Sequence, residues 1–348
     1  MSERLRMLIR SLTLGAVLAV AALTQSLAVE PAVSGISQDG AQDVRTWLMR
    51  IHQAASHNNF QGTFIVSGGG VVASARIAHF CDGRNQFERI ESLDGPARQV
   101  FRHNDVVHTF WPASRIARIE QRDLLTSFPA LLIAGDDRIQ DVYEIQAQAD
   151  ERIAGREAHV LWVRPRDSHR YGYRLWADKA SGLLLRSDVL GEKMEILETA
   201  AFSDVAIGIR PRFDSVLQPM RQLDGYRVVR PVMGPTTLAS QGWVVHRAPP
   251  GFRQVSCVRR PVDGIYSAEV AKGSADPHVL QSIYSDGLTH VSLFIEPYDP
   301  ARHARPLTAS VGATQTLMLR QGPWWITLVG DVPAATLHVF ANGLERSR

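Results

Sequence analysis

The chain has little cysteine, no second long apolar run and no excess of one charge. Its 348 residues include two cysteines, Cys81 and Cys257. That excludes a disulfide-dense scaffold. Neither cysteine has a second Cys or His at ligand spacing, which argues against zinc. In an oxidising compartment the two thiols have a choice: a bridge, which needs close Cα atoms, or two free or buried groups. No stretch past the N-terminal one is long and apolar enough to span a bilayer. The net charge is +3, too small a surplus to make a case for binding DNA or RNA. Catalytic signatures are missing too. There is no Gly-x-Ser-x-Gly elbow, no His-Glu-x-x-His and no phosphate loop.

The N-terminus holds the clearest positive signal. Arg4, Arg6 and Arg10 precede an apolar run from Leu12 to Leu23, and Ser26-Leu27-Ala28 follows. This is the pattern of a secretory leader over 1–28, cut after Ala28. No Cys follows the cut, so no lipid anchor is expected. The reading is a soluble exported chain in a bacterial periplasm.

The remainder is long enough for two domains. Residues 41–57 carry Val44, Trp47, Leu48, Ile51, Ala54 and Ala55 at helical spacing, and Asn58-Asn59 stops them. From Gln61 to Val205 short strands follow one another through tight turns such as Asp82-Gly83, Asn104-Asp105 and Ser181-Gly182. A sheet this long should curl, and a helix should cover its hollow face. The fold class expected is mainly β with α+β. A half-closed antiparallel barrel under helices occupies 29–205, a linker 206–225, and a smaller α+β domain 226–348. A helical insertion is expected over Arg122–Ala134. Asp331 before Pro333 reads as the cap of a last helix.

Catalytic, cofactor and metal sites are expected to be absent. His79 and Cys81 share a strand face, as a Cys–His pair would need, but no orienting third group accompanies them. His52 and His57 lie off the one-face spacing of a metal site. Asp136, Asp137 and Asp141 lack the rest of a calcium loop. Aromatic residues carry more weight. Phe64, Phe101, Trp111, Trp162 and Trp176 on strands, with Leu125 and Phe128 in the insertion, are candidates to line an apolar cavity for acyl chains. Ordinary core packing is the competing reading. Trp324 and Trp325 are adjacent on a strand, so one should face outward as an interface anchor.

Several segments resemble the RseB/MucB family. The N-terminal ones are Gly62-Thr63-Phe64, Arg170-Tyr171-Gly172-Tyr173-Arg174-Leu175-Trp176 and Ser181-Gly182-Leu183-Leu184-Leu185-Arg186-Ser187-Asp188. The C-terminal ones include Pro249-Pro250-Gly251-Phe252, Tyr284-Ser285-Asp286-Gly287-Leu288 and Val291-Ser292-Leu293-Phe294-Ile295-Glu296. The stretch from Val329 to Leu337 is another. The resemblance implies a non-enzymatic, periplasmic negative regulator of an envelope-stress sigma factor. Such a protein binds the periplasmic part of a membrane anti-sigma factor and shields it from proteolysis. It also implies a lipoprotein-carrier-like first domain that senses lipid, lipoprotein or lipopolysaccharide. Tyr284, Phe294, Trp324 and Trp325 are the partner-contact candidates. Homo-oligomerisation is left open, and a lipid or lipoprotein carrier is the alternative function. Cys81, Cys257 and the Pro323-Trp324-Trp325 run stand apart from the family pattern.

Overall fold

The computed structural model describes residues 40–121, 139–261, 278–303 and 305–347. The expected leader (1–28), the expected insertion with Leu125 and Phe128, and Asp136-Asp137 lie outside these residues.

Helix α1 (Gly40–His57) forms where the sequence periodicity places it. Its apolar stripe buries Leu48 and Ile51, worth about 1.5–3 kcal/mol for each side chain. Asn58 ends it: the backbone N–H and the side-chain amide both donate to the Ala54 carbonyl. Twelve strands then build one open sheet. They are β1 (Phe60–Gly68), β2 (Val71–Cys81), β3 (Gln86–Ser92), β4 (Gln99–His103), β5 (Val106–Trp111), β6 (Ile116–Gln121), β7 (Tyr143–Ile153), β8 (Arg156–Pro165), β9 (Gly172–Asp178), β10 (Leu184–Leu190), β11 (Ile196–Ile207) and β12 (Arg227–Val229). Their order is β12-β6-β5-β4-β3-β2-β1-β11-β10-β9-β8-β7, so among the described residues β7 and β12 are the edges and the sheet does not close. The turns follow side-chain chemistry. Asp82 accepts the N–H groups of Arg84 and Asn85 at 2.9 and 2.7 Å, an Asx turn.

A one-turn helix, α2 (Ile139–Val142), precedes β7. Helix α3 (Asp214–Arg221) falls inside the expected linker. It packs Phe213, Val216, Leu217 and Met220 against Phe80, Phe87, Phe101 and Phe110 of the sheet. Strand β12 then returns to pair in parallel with β6. The segment 206–225 is therefore a covering element of the first sheet. Pro211 and Pro219 had masked its short amphipathic run.

The second module is a seven-stranded sheet of order β13-β15-β16-β17-β20-β19-β18. Its strands are β13 (Gly234–Pro235), β15 (Arg253–Pro261), β16 (His278–Ser285), β17 (His290–Pro297), β18 (Leu307–Val311), β19 (Thr314–Gln321) and β20 (Trp324–Gly330). Strands β14 (Trp243–Val245) and β21 (Leu344–Arg346) form a separate pair. Helix α4 (Ala334–Gly343) covers one sheet face. Leu337 and Phe340 meet Tyr284, Leu293, Ile326 and Leu328 there. Asp331 does not cap this helix. Its carboxylate accepts the Thr314 hydroxyl at 2.6 Å, and Pro333 occupies the N-cap position.

Candidate functional site

The described cavity candidates do not converge. Phe64 is buried edge-on to Phe202 at 5.2 Å, with Phe60, Ile77 and Leu183. Phe101 belongs to the cluster under α3. The unbroken registers from β1 to β4 put Phe64 and Phe101 on opposite sheet faces. Trp111, half-buried, shares the Phe64 face. Trp176 sits in a third cluster with Ala158, Val160 and Leu185. Its indole N–H donates to Glu151 Oε2 at 2.9 Å. Trp162 is half-buried beneath the Arg164 guanidinium, 3.8 Å from its ring centroid. A single aromatic-lined hollow built from all of these is not what the fold makes.

The Phe64 face is also not uniformly apolar. The registers align His79, Glu88, Arg102, Val107 and Glu120 in one row across β2 to β6. All five are buried. Arg102 donates to Glu88 Oε1 at 2.8 Å, and His79 Nδ1 lies 3.2 Å from the same oxygen. His79 stacks on Phe60 and its Nε2 lies 3.4 Å from the Ser56 carbonyl, so its partners are Glu88, Ser56 and Phe60 rather than Cys81. Both cysteines are free, and burial pushes the Cys257 thiol up. On the α3 face a pocket of about 360 Å³ is walled by Thr63, Arg76, Arg89, Asp204, Arg212 and Ser215. Such a lining suits polar groups better than acyl chains.

The most organised polar constellation joins the two modules. Arg170, just before β9, donates from Nη1 to Asp286 Oδ2 in the β16–β17 turn at 3.0 Å. Both side chains are fully buried. Arg170 also bonds Asp167 at 3.1 Å and the Pro250 carbonyl. The rings of Tyr143 and Phe252 lie on it at 5.4 and 5.1 Å. Asp286 further accepts the Tyr143 hydroxyl and the N–H groups of Leu288 and Thr289. Burial pushes the Asp286 carboxyl up, while these donors and Arg170 pull it back. Burial beside Asp286 likewise drives the Tyr143 hydroxyl well above its ordinary range. Thr336 Oγ1 donates to the His169 carbonyl at 2.9 Å, and Gln315 reaches the Tyr171 hydroxyl at 3.3 Å. Leu288 and Ala313 complete the apolar cluster that holds α1 on the first sheet. One edge of this seam is glycine-lined. Gly69, at φ +58°, lies so close to Gly312 that a Cβ there would sit 2.5 Å from the Gly312 nitrogen. Beside it, burial and Asp331 raise the Glu198 carboxyl, against a bond from the Ala313 N–H.

The partner-contact candidates fare differently from expectation. The two tryptophans do point to opposite faces, but neither is free. Trp325 is 4 % exposed, stacked at 4.9 Å on His303 in the loop after β17. Trp324 packs edge-on to Trp243 at 5.7 Å and under Arg346 at 4.6 Å. Tyr284 is buried against Phe340 at 5.1 Å, which pushes its hydroxyl up to about 12. Phe294 is half-buried on the face away from α4. Sequence reasoning quoted Arg170 and Asp286 only as parts of motifs and missed their pairing. The available signal was an arginine in an otherwise aromatic strand start.

A wide open sheet clad by α1 and α3 and locked through buried charges to a smaller sheet-and-helix module defines a two-module binding scaffold. No group of three or more His, Cys, Asp or Glu side chains fit to hold a metal occurs among the described residues. Residues 43–221 match the MucB/RseB N-terminal domain, and residues 237–345 match the MucB/RseB C-terminal domain. The chain belongs to the MucB/RseB family. It is similar to the sigma factor AlgU regulatory protein MucB of Pseudomonas aeruginosa, with 32 % identity over 85 % of this chain and 89 % of that protein. The sigma-E factor regulatory protein RseB of Escherichia coli is 24 % identical over 86 % of this chain and 89 % of its own length. Among solved structures, the Pseudomonas aeruginosa MucA/MucB complex covers 88 % of this chain and 99 % of the matched one, at 27 % identity and TM-score 0.65. A crystal structure of MucB in complex with MucA(peri) aligns over the same shares at TM-score 0.64.

Proposed function

We propose that this chain is an exported, non-catalytic regulator of an envelope-stress sigma factor. It binds the periplasmic region of a membrane anti-sigma factor and shields that region from proteolysis. One observation carries the reading: both family modules are present in order, in a family with a MucB solved in complex with MucA(peri). Localisation in the periplasm rests on the N-terminal leader pattern and on family membership. No helix among the described residues is long and apolar enough to cross a membrane.

Release of the partner is triggered by a lipid, lipoprotein or lipopolysaccharide ligand on the first sheet. The face bearing Phe64 combines an apolar cluster with a buried row of charge, which suits an amphiphile better than a plain hydrocarbon. A free-standing lipid carrier is the weaker reading. A carrier has no use for a second module tied down through Arg170 and Asp286. The test is calorimetric titration of the exported chain with the purified periplasmic segment of the anti-sigma factor, without and with lipopolysaccharide. Saturable binding that lipopolysaccharide weakens supports the whole reading. Binding indifferent to lipopolysaccharide and lipopeptide removes the sensing part. No binding removes the regulatory part.

A further inference from the structure

The face of the first sheet away from Phe64 holds a hollow that the strand register builds. Gln61 on β1 lies between Ala206 on β11 and Ala78 on β2, and Ala78 faces Arg89 on β3. One row over, Thr63 lies between Asp204 and Arg76. Alternation along each strand puts all of these side chains on one face. Two alanines in the first row keep the floor low, while longer side chains rise around it. The N–H groups of Gly208 and Ile209 donate to the Asn59 carbonyl, which folds the chain back over the start of β1. That return sets Arg212 and Ser215, at the beginning of α3, on the rim of the pocket of about 360 Å³.

Its charges are out of balance. Arg76, Arg89 and Arg212 line it against one carboxylate, Asp204. Just outside, Glu91 Oε2 serves two of the guanidiniums, Arg89 at 3.0 Å and Arg76 at 3.7 Å. Its Oε1 is taken by the Gln99 amide at 3.2 Å. Arg212 meets no carboxylate among the described residues and donates to the amide oxygen of Gln61 at 3.3 Å. Asp204 is exposed and accepts the Ser203 hydroxyl at 3.3 Å. Guanidiniums gathered in one concavity repel each other and focus a positive field into it, which an anion would relieve.

We propose that this pocket binds a phosphate monoester group. Guanidinium forks match the paired oxygens of a phosphate, and a dianion can meet more than one fork at once. The volume lies at the lower end for small-ligand pockets, so there is room for a small polar body beside the anion. Gln61, Thr63 and Ser215 offer that body hydrogen-bonding groups. An acyl chain finds no lining here, because Phe80, the largest apolar neighbour, is 1 % exposed. The pocket lies on the opposite sheet face from the Phe64 cluster, so the proposal does not rest on the lipid-sensing reading.

The test is calorimetric titration of the intact two-module chain with glycerol 3-phosphate, with glycerol as the blank. Sodium chloride holds the ionic strength constant, so that general screening does not change. Saturable binding is expected. Arg212→Gln should weaken it about tenfold or more, with the thermal melt and far-UV spectrum unchanged. Ala206→Leu, at an exposed position, raises the floor without touching a charge and should weaken binding to a similar extent. It keeps the test decisive if the arginine variant folds poorly. Arg164→Gln removes an arginine from the same sheet face outside the pocket and should change nothing.

Flotation with vesicles of phosphatidic acid in phosphatidylcholine, against phosphatidylcholine alone, separates the sources of the phosphate. Capture that Arg212→Gln abolishes assigns it to a lipid headgroup. Binding of glycerol 3-phosphate without capture assigns it to a soluble ester. Neither heat nor capture overturns the proposal, and so does binding that survives both Arg212→Gln and Ala206→Leu.

Discussion

Arg170 and Asp286 meet at 3.0 Å with no solvent on either side chain, although they belong to different modules. Such a pair is costly to bury, and its value lies in geometry: neither charge tolerates the loss of the other. The guanidinium also bonds Asp167 and the Pro250 carbonyl, and it is flanked by Tyr143 and Phe252. This one side chain therefore fixes how the smaller module meets the larger.

Arg170→Met should lower stability by about 3–5 kcal/mol, because Asp286 is left buried and unpaired. Arg170→Lys should fail as well, since an ammonium cannot make these divergent contacts in one plane. The double variant Arg170→Met, Asp286→Asn should recover part of the loss, since it removes the unpaired buried charge and leaves an amide oxygen to accept from Leu288 and Thr289. Urea denaturation measures all three. A single-variant cost below about 1 kcal/mol, the level of an exposed ion pair, would show that the pair holds nothing.

Glu198 gives the seam a pH dependence. Burial and Asp331 raise its carboxyl in the folded protein. A carboxyl raised on folding adds stability below its unfolded value, and that contribution is lost as pH rises through the folded value. Glu198→Gln should therefore stabilise the protein at neutral pH and make no difference in acid, below the unfolded range of about 4.3. The amide oxygen can still accept from the Ala313 N–H. Thermal melts from acid to neutral pH check the sign, and a variant less stable at neutral pH would contradict it.

The tryptophan pair tests burial against interface. Trp324→Ala and Trp325→Ala should each cost about 3–5 kcal/mol, as large-to-small core changes do. The indole N–H of Trp324 is buried without a hydrogen-bond partner among the described residues, so Trp324→Phe should cost much less. Unfolding curves that match the parent for either alanine variant would restore the exposed-anchor view.

The sequence pattern reveals elements that bury one face. Helix α1 shows its stripe through Trp47, Leu48 and Ile51, and β1 through β6 are legible from alternation and turn residues. Strands β7 and β18 are not, because both are exposed along much of their length, so their alternation buries no face. The supposed linker hid α3, and β12 fell at the start of the expected second domain although it pairs with β6 far earlier in the chain. Cavity residues were the least legible part. One residue of register moves a side chain to the other face, and that separates Phe64 from Phe101.

The most direct measurement for the regulatory account is affinity between the two-module chain and the periplasmic segment of an anti-sigma factor from the same organism. Calorimetry on the intact two-module protein should give saturable binding, and the segment should resist the initiating protease when bound. A folded protein that shows no heat of binding and leaves the segment equally cleavable would contradict the account.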